Sequence, residues 1–201
     1  MCVVFALQSS LYCSLLCVRV VVAQKDTWLV QDFLQWFRFR GWPQPASTPE
    51  LTLDLSRPAL GLIGLGQRAD SLKSMLGAPA SWRMYRDAGI WLYPEFGVAL
   101  TVADDQLASI GLSLFSDAYL FGSEAKRPFQ PYAGLILTPR GRRESRIEEW
   151  NESFAVSALG PAPEREEADD EVLLVYDFER WAIEIEFASD KLAHLEVYSL
   201  E

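Results

Sequence analysis

A Leu-Gly pair occurs twice in this sequence, in "MLGAP" at 75–79 and in "ALGPAP" at 158–163, and its surroundings repeat with it. In each place a Tyr follows 16 residues after the Gly, at Tyr93 and Tyr176, and an alternating strand follows the Tyr. Leu76, Gly77 and Tyr93 fall on Leu159, Gly160 and Tyr176 at a constant offset of 83, and two extra residues near the last hairpin raise the offset to 85. An even insertion preserves which strand face points inward. A chain that spells one order of elements twice is constrained to fold as two units of one kind.

The first unit reads as follows. "LTLDL" (51–55) alternates as a short strand. "LGQRADSLKSML" (65–76) has Leu65, Ala69, Leu72 and Leu76 on one helical face, and Gly77 is placed to end that helix in a left-handed cap. "GIWLY" (89–93) and "GVALTV" (97–102) are strands, "DDQ" (104–106) turns the chain, and "ASIGLSL" (108–114) runs back. The second unit repeats the order. "GLIL" (134–137) is the strand, and "SRIEEW" (145–150) opens a helix with Ser145 and Glu148 in capping-box spacing. Leu159-Gly160-Pro161 closes it, and "VLLVY" (172–176), "WAIEIEF" (181–187), the turn "SDK" (189–191) and "AHLEVYSL" (193–200) complete the meander. The expected fold is α+β: two repeats of helix plus antiparallel β-meander, at 51–127 and 128–201, with the helices on one face of the sheet. The opposite face is left free.

Two segments precede this body. "TWLVQDFLQWFRF" (27–39) places Leu29, Phe33, Trp36 and Phe37 at helical spacing, and "RGWPQPASTPE" (40–50) holds three prolines and a glycine. Residues 25–50 therefore read as an amphipathic helix, of core or capping type, followed by a linker. Residues 1–24 are apolar with one charge in the apolar run, Arg19. Their length suits a membrane span or signal, but no Lys or Arg precedes the run and Gln8-Ser9-Ser10 interrupts it. A translation start placed too far upstream accounts for the same pattern. The expected location is the cytoplasm, with a membrane-anchored or exported protein as the alternative.

The residues "LGAP" (76–79), "WLY" (91–93) and "VALTVADDQLASI" (98–110) carry a family resemblance. A helix ending in Leu-Gly-x-Pro, a Trp-x-Tyr strand and an alternating strand leading through an Asp-rich turn resemble the BLIP-like fold. That group includes the beta-lactamase inhibitory protein and small outer-membrane lipoproteins that assist barrel assembly. The resemblance covers roughly residues 60–200 as two repeats. It implies a protein-binding sheet rather than a catalytic pocket. The chain departs from the inhibitors in having no cysteine after Cys17, and from the lipoproteins in having Leu before Cys17 where a lipobox needs a small residue.

Charge and residue inventory exclude several chemistries. The formal net charge of −10 repels phosphate backbones, so no nucleic-acid partner is expected, and basic proteins suit the surface better. With a single histidine, and with Cys2, Cys13 and Cys17 confined to the N-terminal segment, no zinc or other metal site and no disulfide framework is expected in the body. "GLIGLG" (61–66) lacks the spacing of a dinucleotide fingerprint, and no cofactor is expected. No G-x-S-x-G elbow accompanies His194, and no catalytic residue is assigned. "EREEADDE" (164–171) reads as a solvated connector, and "PRGRRESR" (139–146) as a loop offsetting nearby acids.

The last hairpin holds the candidate site. If Ile185 faces Leu195, then Glu184 faces Glu196 and Glu186 faces His194, with Tyr198 on their side. One sheet face then carries three carboxylates, the histidine and an aromatic. Glu184 opposite Glu196 costs a few tenths to ~1 kcal/mol by like-charge repulsion. Trp91 and Tyr93, with Trp82 and Tyr85, form either an aromatic hot spot or the filling between sheet and helix. The expected binding set is Trp91, Tyr93, Glu184, Glu186, His194, Glu196 and Tyr198. The expected function is non-enzymatic binding of another, basic protein, of inhibitor or immunity type. The alternatives are an envelope assembly factor tethered by residues 1–24 and a small hydrolase with an acidic site. A free sheet face also suits pairing with a second copy.

Overall fold

The computed structural model describes residues 34–43, 51–85, 88–113, 130–140 and 143–200. The chain divides into two units, Met1–Arg40 and Gly41–Glu201. In the first, residues 34–38 are helical. Trp36 and Phe37 are exposed while Phe39 is buried, so the described part of this helix does not turn the expected Trp36–Phe37 face inward. Instead the Arg40 guanidinium lies 5.3 Å over the Trp36 ring. Residues 1–24, most of the linker and the expected repeat boundary lie outside the described residues.

The second unit is α+β, built on sheets. Its strands are β1 (Thr52–Asp54), β2 (Ala59–Leu60), β3 (Ile63–Gly64), β4 (Ser81–Tyr85), β5 (Ala88–Tyr93), β6 (Val98–Ala103) and β7 (Gln106–Ser113). They continue as β8 (Leu135–Leu137), β9 (Glu144–Ser145), β10 (Glu164–Ala168), β11 (Glu171–Asp177), β12 (Trp181–Ala188) and β13 (Lys191–Ser199). Helix α1 (Asp70–Met75) precedes β4, and α2 (Glu152–Leu159) precedes β10. Eight strands form an antiparallel sheet in the order β10-β11-β12-β13-β7-β6-β5-β4. Five form a smaller sheet, β3-β2-β1-β8-β9, in which β1 and β8 run parallel with Thr52 beside Leu135.

Each meander has its own edge strand, and the two join where β7 pairs β13. At that seam Ile110 faces Val197, Leu112 faces Leu195, and Gly111 faces Glu196. The hairpins on either side match in detail. Asp104-Asp105 and Ser189-Asp190 both take positive φ, between 50° and 60°, as a two-residue primed turn requires. Both carry a register shift, between Thr101 and Val102 and between Glu186 and Phe187. The two extra residues fall in the β11–β12 turn, because Tyr93 faces Val98 while Tyr176 faces Ile183.

The repeated Leu-Gly…Tyr spacing has a physical cause. Tyr93 Oη donates to the Gly77 carbonyl at 3.0 Å, and Tyr176 Oη donates to the Gly160 carbonyl at 3.0 Å. Gly77 ends α1 with φ 70°, and its amide reaches the Lys73 carbonyl. Gly160 ends α2, its amide on the Val156 carbonyl. Each helix is thus bolted at its C-terminus to the same face of the large sheet. On that face Val98, Leu100, Ile110, Leu112, Ile183, Ile185, Leu195 and Val197 are all fully buried. Burial of each stabilises by about 1.5–3 kcal/mol. That sum sets the strand register against any like-charge penalty on the other face.

Three local expectations are corrected. The first helix starts at Asp70 rather than Leu65, because residues 66–69 hydrogen-bond to the β6–β7 hairpin instead: Gly66 N on Leu107 O, Leu107 N on Gln67 O, Ala69 N on Asp105 O. The second helix is capped by Asn151, whose Oδ1 accepts from Phe154 N at 2.8 Å. Ser145 belongs to β9, where its hydroxyl donates to Ile136 O and accepts from Trp150 Nε1. Glu149, not Glu148, reaches back, to Arg146 N at 2.9 Å. Finally, 164–171 is no connector: Glu164–Ala168 is edge strand β10, exposed throughout, and its charges protect an unpaired sheet edge.

Candidate binding face

The strand alternation that buries Ile183, Ile185 and Phe187 turns Glu184 and Glu186 to the other side of the sheet. The register there is the one the sequence predicts: Glu184 faces Glu196, Glu186 faces His194, and Ile185 faces Leu195. Tyr198 shares the face and donates its hydroxyl to Glu184 Oε1 at 2.9 Å. His194 Nε2 lies 3.7 Å from Glu196 Oε2, within ionic reach but long for a hydrogen bond. The imidazole sits beside Gly111, where an added Cβ would come 3.4 Å from Cε1. Five of the seven expected residues therefore meet on one face.

Trp91 and Tyr93 do not join them. They lie on the helix-covered face, with 1% and 0% of their surface exposed. The Trp91 ring meets Trp42 edge-on at 5.5 Å, and Tyr93 is held by Gly77. This is the interior filling between sheet and helix, so neither ring is offered to a partner. The reason is register: Tyr93 pairs with Val98 and Trp91 with Leu100, both core residues.

Electrostatics separate the three acids. Burial raises the pKa of Glu184; the Tyr198 hydrogen bond opposes this without cancelling it, and the Glu196 charge adds to it. Burial likewise raises Glu186, with His194 opposing. Glu196 is also pushed up by burial, but its contacts with His194 and Ser109 and the His194 charge outweigh that and leave it lowered. Burial and donation to Glu184 raise Tyr198. Among the described residues, no Lys or Arg comes within ion-pair distance of Glu184, Glu186 or Glu196.

A carboxyl whose folded pKa is raised weakens the fold as pH climbs from the unfolded pKa through the folded one, because the unfolded state then releases its proton first. Glu184→Gln should therefore raise Tm relative to wild type more at pH 7.5 than at pH 4. Thermal unfolding at the two values checks this, and equal shifts would show that the carboxylate carries no penalty.

The matching positions on the first meander are small and neutral. Ala99, Thr101, Ser109, Gly111 and Ser113 stand 85 positions before Glu184, Glu186, His194, Glu196 and Tyr198. Sequence reasoning missed Ser109 and Gly111 as neighbours of the site, since only the β7–β13 pairing brings them there. The sequence holds no local signal for that pairing.

No family model matches the chain, and no curated protein does. Two solved structures are similar to it. One is a DUF4309 family protein (YjgB) from Bacillus subtilis, at TM-score 0.43 and 13% identity, covering 72% of this chain and 88% of that one. The other is an extracellular protein containing an SCP domain from Bacillus anthracis, at TM-score 0.43 and 13% identity. It covers 78% of this chain, which spans about half of that protein's length (49%).

Proposed function

We propose that this protein is a non-enzymatic binding module, of inhibitor or immunity type, that docks a basic protein on the open face of β12 and β13. The observation that carries this reading is the Glu184–Glu196 pair. Two carboxylates face each other across a ladder with no described Lys or Arg to neutralise them. A structural role would be served as well by the neutral residues that the first meander has at the same places. A cationic partner would supply the missing counter-charge and turn the penalty into binding energy. The same reading takes the two meanders as tandem BLIP-like repeats, one of which acquired the charged face. What supports the repeats is the shared offset, the paired Tyr-to-Gly hydrogen bonds and the matching turns.

Charged groups of this kind act mainly on association. A fluorescein-labelled peptide alternating Lys and Gly should bind the wild type at low salt and weaken as salt rises. Glu184→Gln/Glu186→Gln should slow its association several-fold, with the gap closing above roughly 0.2 M salt as screening sets in. Stopped-flow anisotropy reads both. Unchanged association rates in the double variant would overturn the assignment.

A second reading rests on the opposite displacement of Glu184 and Glu196, which is the pattern of an acid–base pair in a hydrolase. Turnover of a glycoside or ester substrate abolished by Glu196→Gln, without loss of stability, would favour it.

A further inference from the structure

We propose that the helix at residues 34–38 is a membrane-interface anchor: Leu34, Trp36 and Phe37 enter the headgroup region of an anionic bilayer, and Arg38 and Arg40 pair with its lipid headgroups. This inference is independent of the acidic face and uses none of its residues.

Burial divides the helix into two sides. The Phe39 amide bonds the Gln35 carbonyl at 3.0 Å and closes the last turn. Phe39 is 7% exposed and Gln35 is half-buried, so this pair marks the inward side. The outward side is apolar where water favours polar groups. Leu34, Trp36 and Phe37 are 45%, 57% and 64% exposed, three large apolar side chains within four consecutive residues. A single exposed apolar residue is ordinary, whereas a contiguous group marks an interaction surface.

Two observations select a lipid surface. The first is charge. Arg38 and Arg40 are both exposed, and residues 34–40 hold no acid, in a chain whose formal net charge is −10. This segment is drawn to an anionic surface that the acidic remainder of the chain avoids. The Arg40 guanidinium lies 5.3 Å over the Trp36 ring, which puts a cation and an aromatic at one level. That pairing suits the membrane–water boundary, where an indole settles among the headgroups and a guanidinium reaches their phosphates. The second observation is the preceding sequence. The apolar run 2–23, with Arg19 as its one charge, is separated from Leu34 only by residues 24–33. A run of that length suits a bilayer core, and a segment so close behind it is held near the boundary. Residues 34–38 themselves rise only about 7.5 Å against a hydrocarbon core of about 30 Å. They therefore lie in the interface plane, as amphipathic anchors do.

The test uses the full chain and phosphatidylcholine vesicles that carry a trace of lipid with a photoactivatable diazirine near its headgroup. One set of vesicles also contains phosphatidylserine at about a third of the lipid. Flotation isolates vesicle-bound chains after illumination, and mass spectrometry maps the labelled residues. Chains bound to the phosphatidylserine vesicles should carry label at residues 34–37. The yield there per bound chain should be about fivefold lower or less on phosphatidylcholine alone, and lower by a similar factor in Arg38→Gln/Arg40→Gln. Bound chains without label at 34–37 would overturn the anchor, even if residues 2–23 are labelled. Equal yields on the two kinds of vesicle would overturn it as well, and so would failure of the chain to float with phosphatidylserine vesicles. The comparison between vesicles needs no substitution, so it decides the matter even if circular dichroism finds the arginine variant unfolded.

Discussion

Replacing Gly97 by Ala should be among the most damaging single-methyl additions in the described chain. Two separate effects act there. Gly97 has φ +66°, where an L side chain costs about 1–2 kcal/mol. An added Cβ would also lie 2.5 Å from Gln130 O, 2.5 Å from Tyr132 N and 2.9 Å from Pro131 C. All three are backbone atoms and cannot swing away, so either β6 or residues 130–132 must shift. Overpacking of that kind adds roughly 1–3 kcal/mol. The expected loss is about 2–5 kcal/mol, or a Tm lower by roughly 4–20 °C for a chain of this size. Gly66 separates the two effects. Its φ is +76° but nothing lies within 4 Å of an added Cβ, so Gly66→Ala should lose only the conformational part. Thermal unfolding of the two variants side by side checks the argument. Equal losses would mean that the wall at 130–132 yields and the clash is not real.

The outcome depends on contacts that the sequence does not spell out. Gly97 reads as the start of "GVALTV", and nothing nearby signals that residues 130–132 pass against it. The same division runs through the whole molecule. Elements fixed by local alternation were legible: β12 and β13, their Glu184–Glu196 register, and the Asp104-Asp105 and Ser189-Asp190 turns. So was the stop at Gly77, because a left-handed cap is a local requirement. Elements fixed by distant partners were not. Leu65–Ala69 has helical periodicity, yet the Leu65 amide bonds Pro58 O and the backbone of residues 66–69 bonds to the β6–β7 hairpin. "EREEA" has no apolar alternation, yet it is a strand because β11 offers it a ladder. Trp91 and Tyr93 could be counted as aromatic, but which side of the sheet they take follows from pairing with Leu100 and Val98. The site divides in the same way. Its five polar residues lie on one hairpin and could be placed, whereas Ser109 and Gly111 arrive through a seam between distant strands.

Removing the two bolts together should give the second large loss. Tyr93→Phe and Tyr176→Phe each leave the ring in place and delete one hydroxyl, so packing changes little. What remains is a carbonyl, at Gly77 or Gly160, with its donor gone. Leaving such a buried acceptor unsatisfied costs about 1–3 kcal/mol. Tyr93 is fully buried and Tyr176 is 4% exposed, so water can replace the lost donor more easily at the second site. Tyr93→Phe should therefore be the costlier of the two. The bolts sit on separate meanders with no shared partner, so their effects should add. The double variant is then expected to lose about 2–6 kcal/mol and to unfold roughly 4–24 °C below wild type. Denaturant titration of both single variants and the double provides the check. A double loss well below the sum would mean that the helix ends relax together, and the two bolts would then be one structural device rather than two.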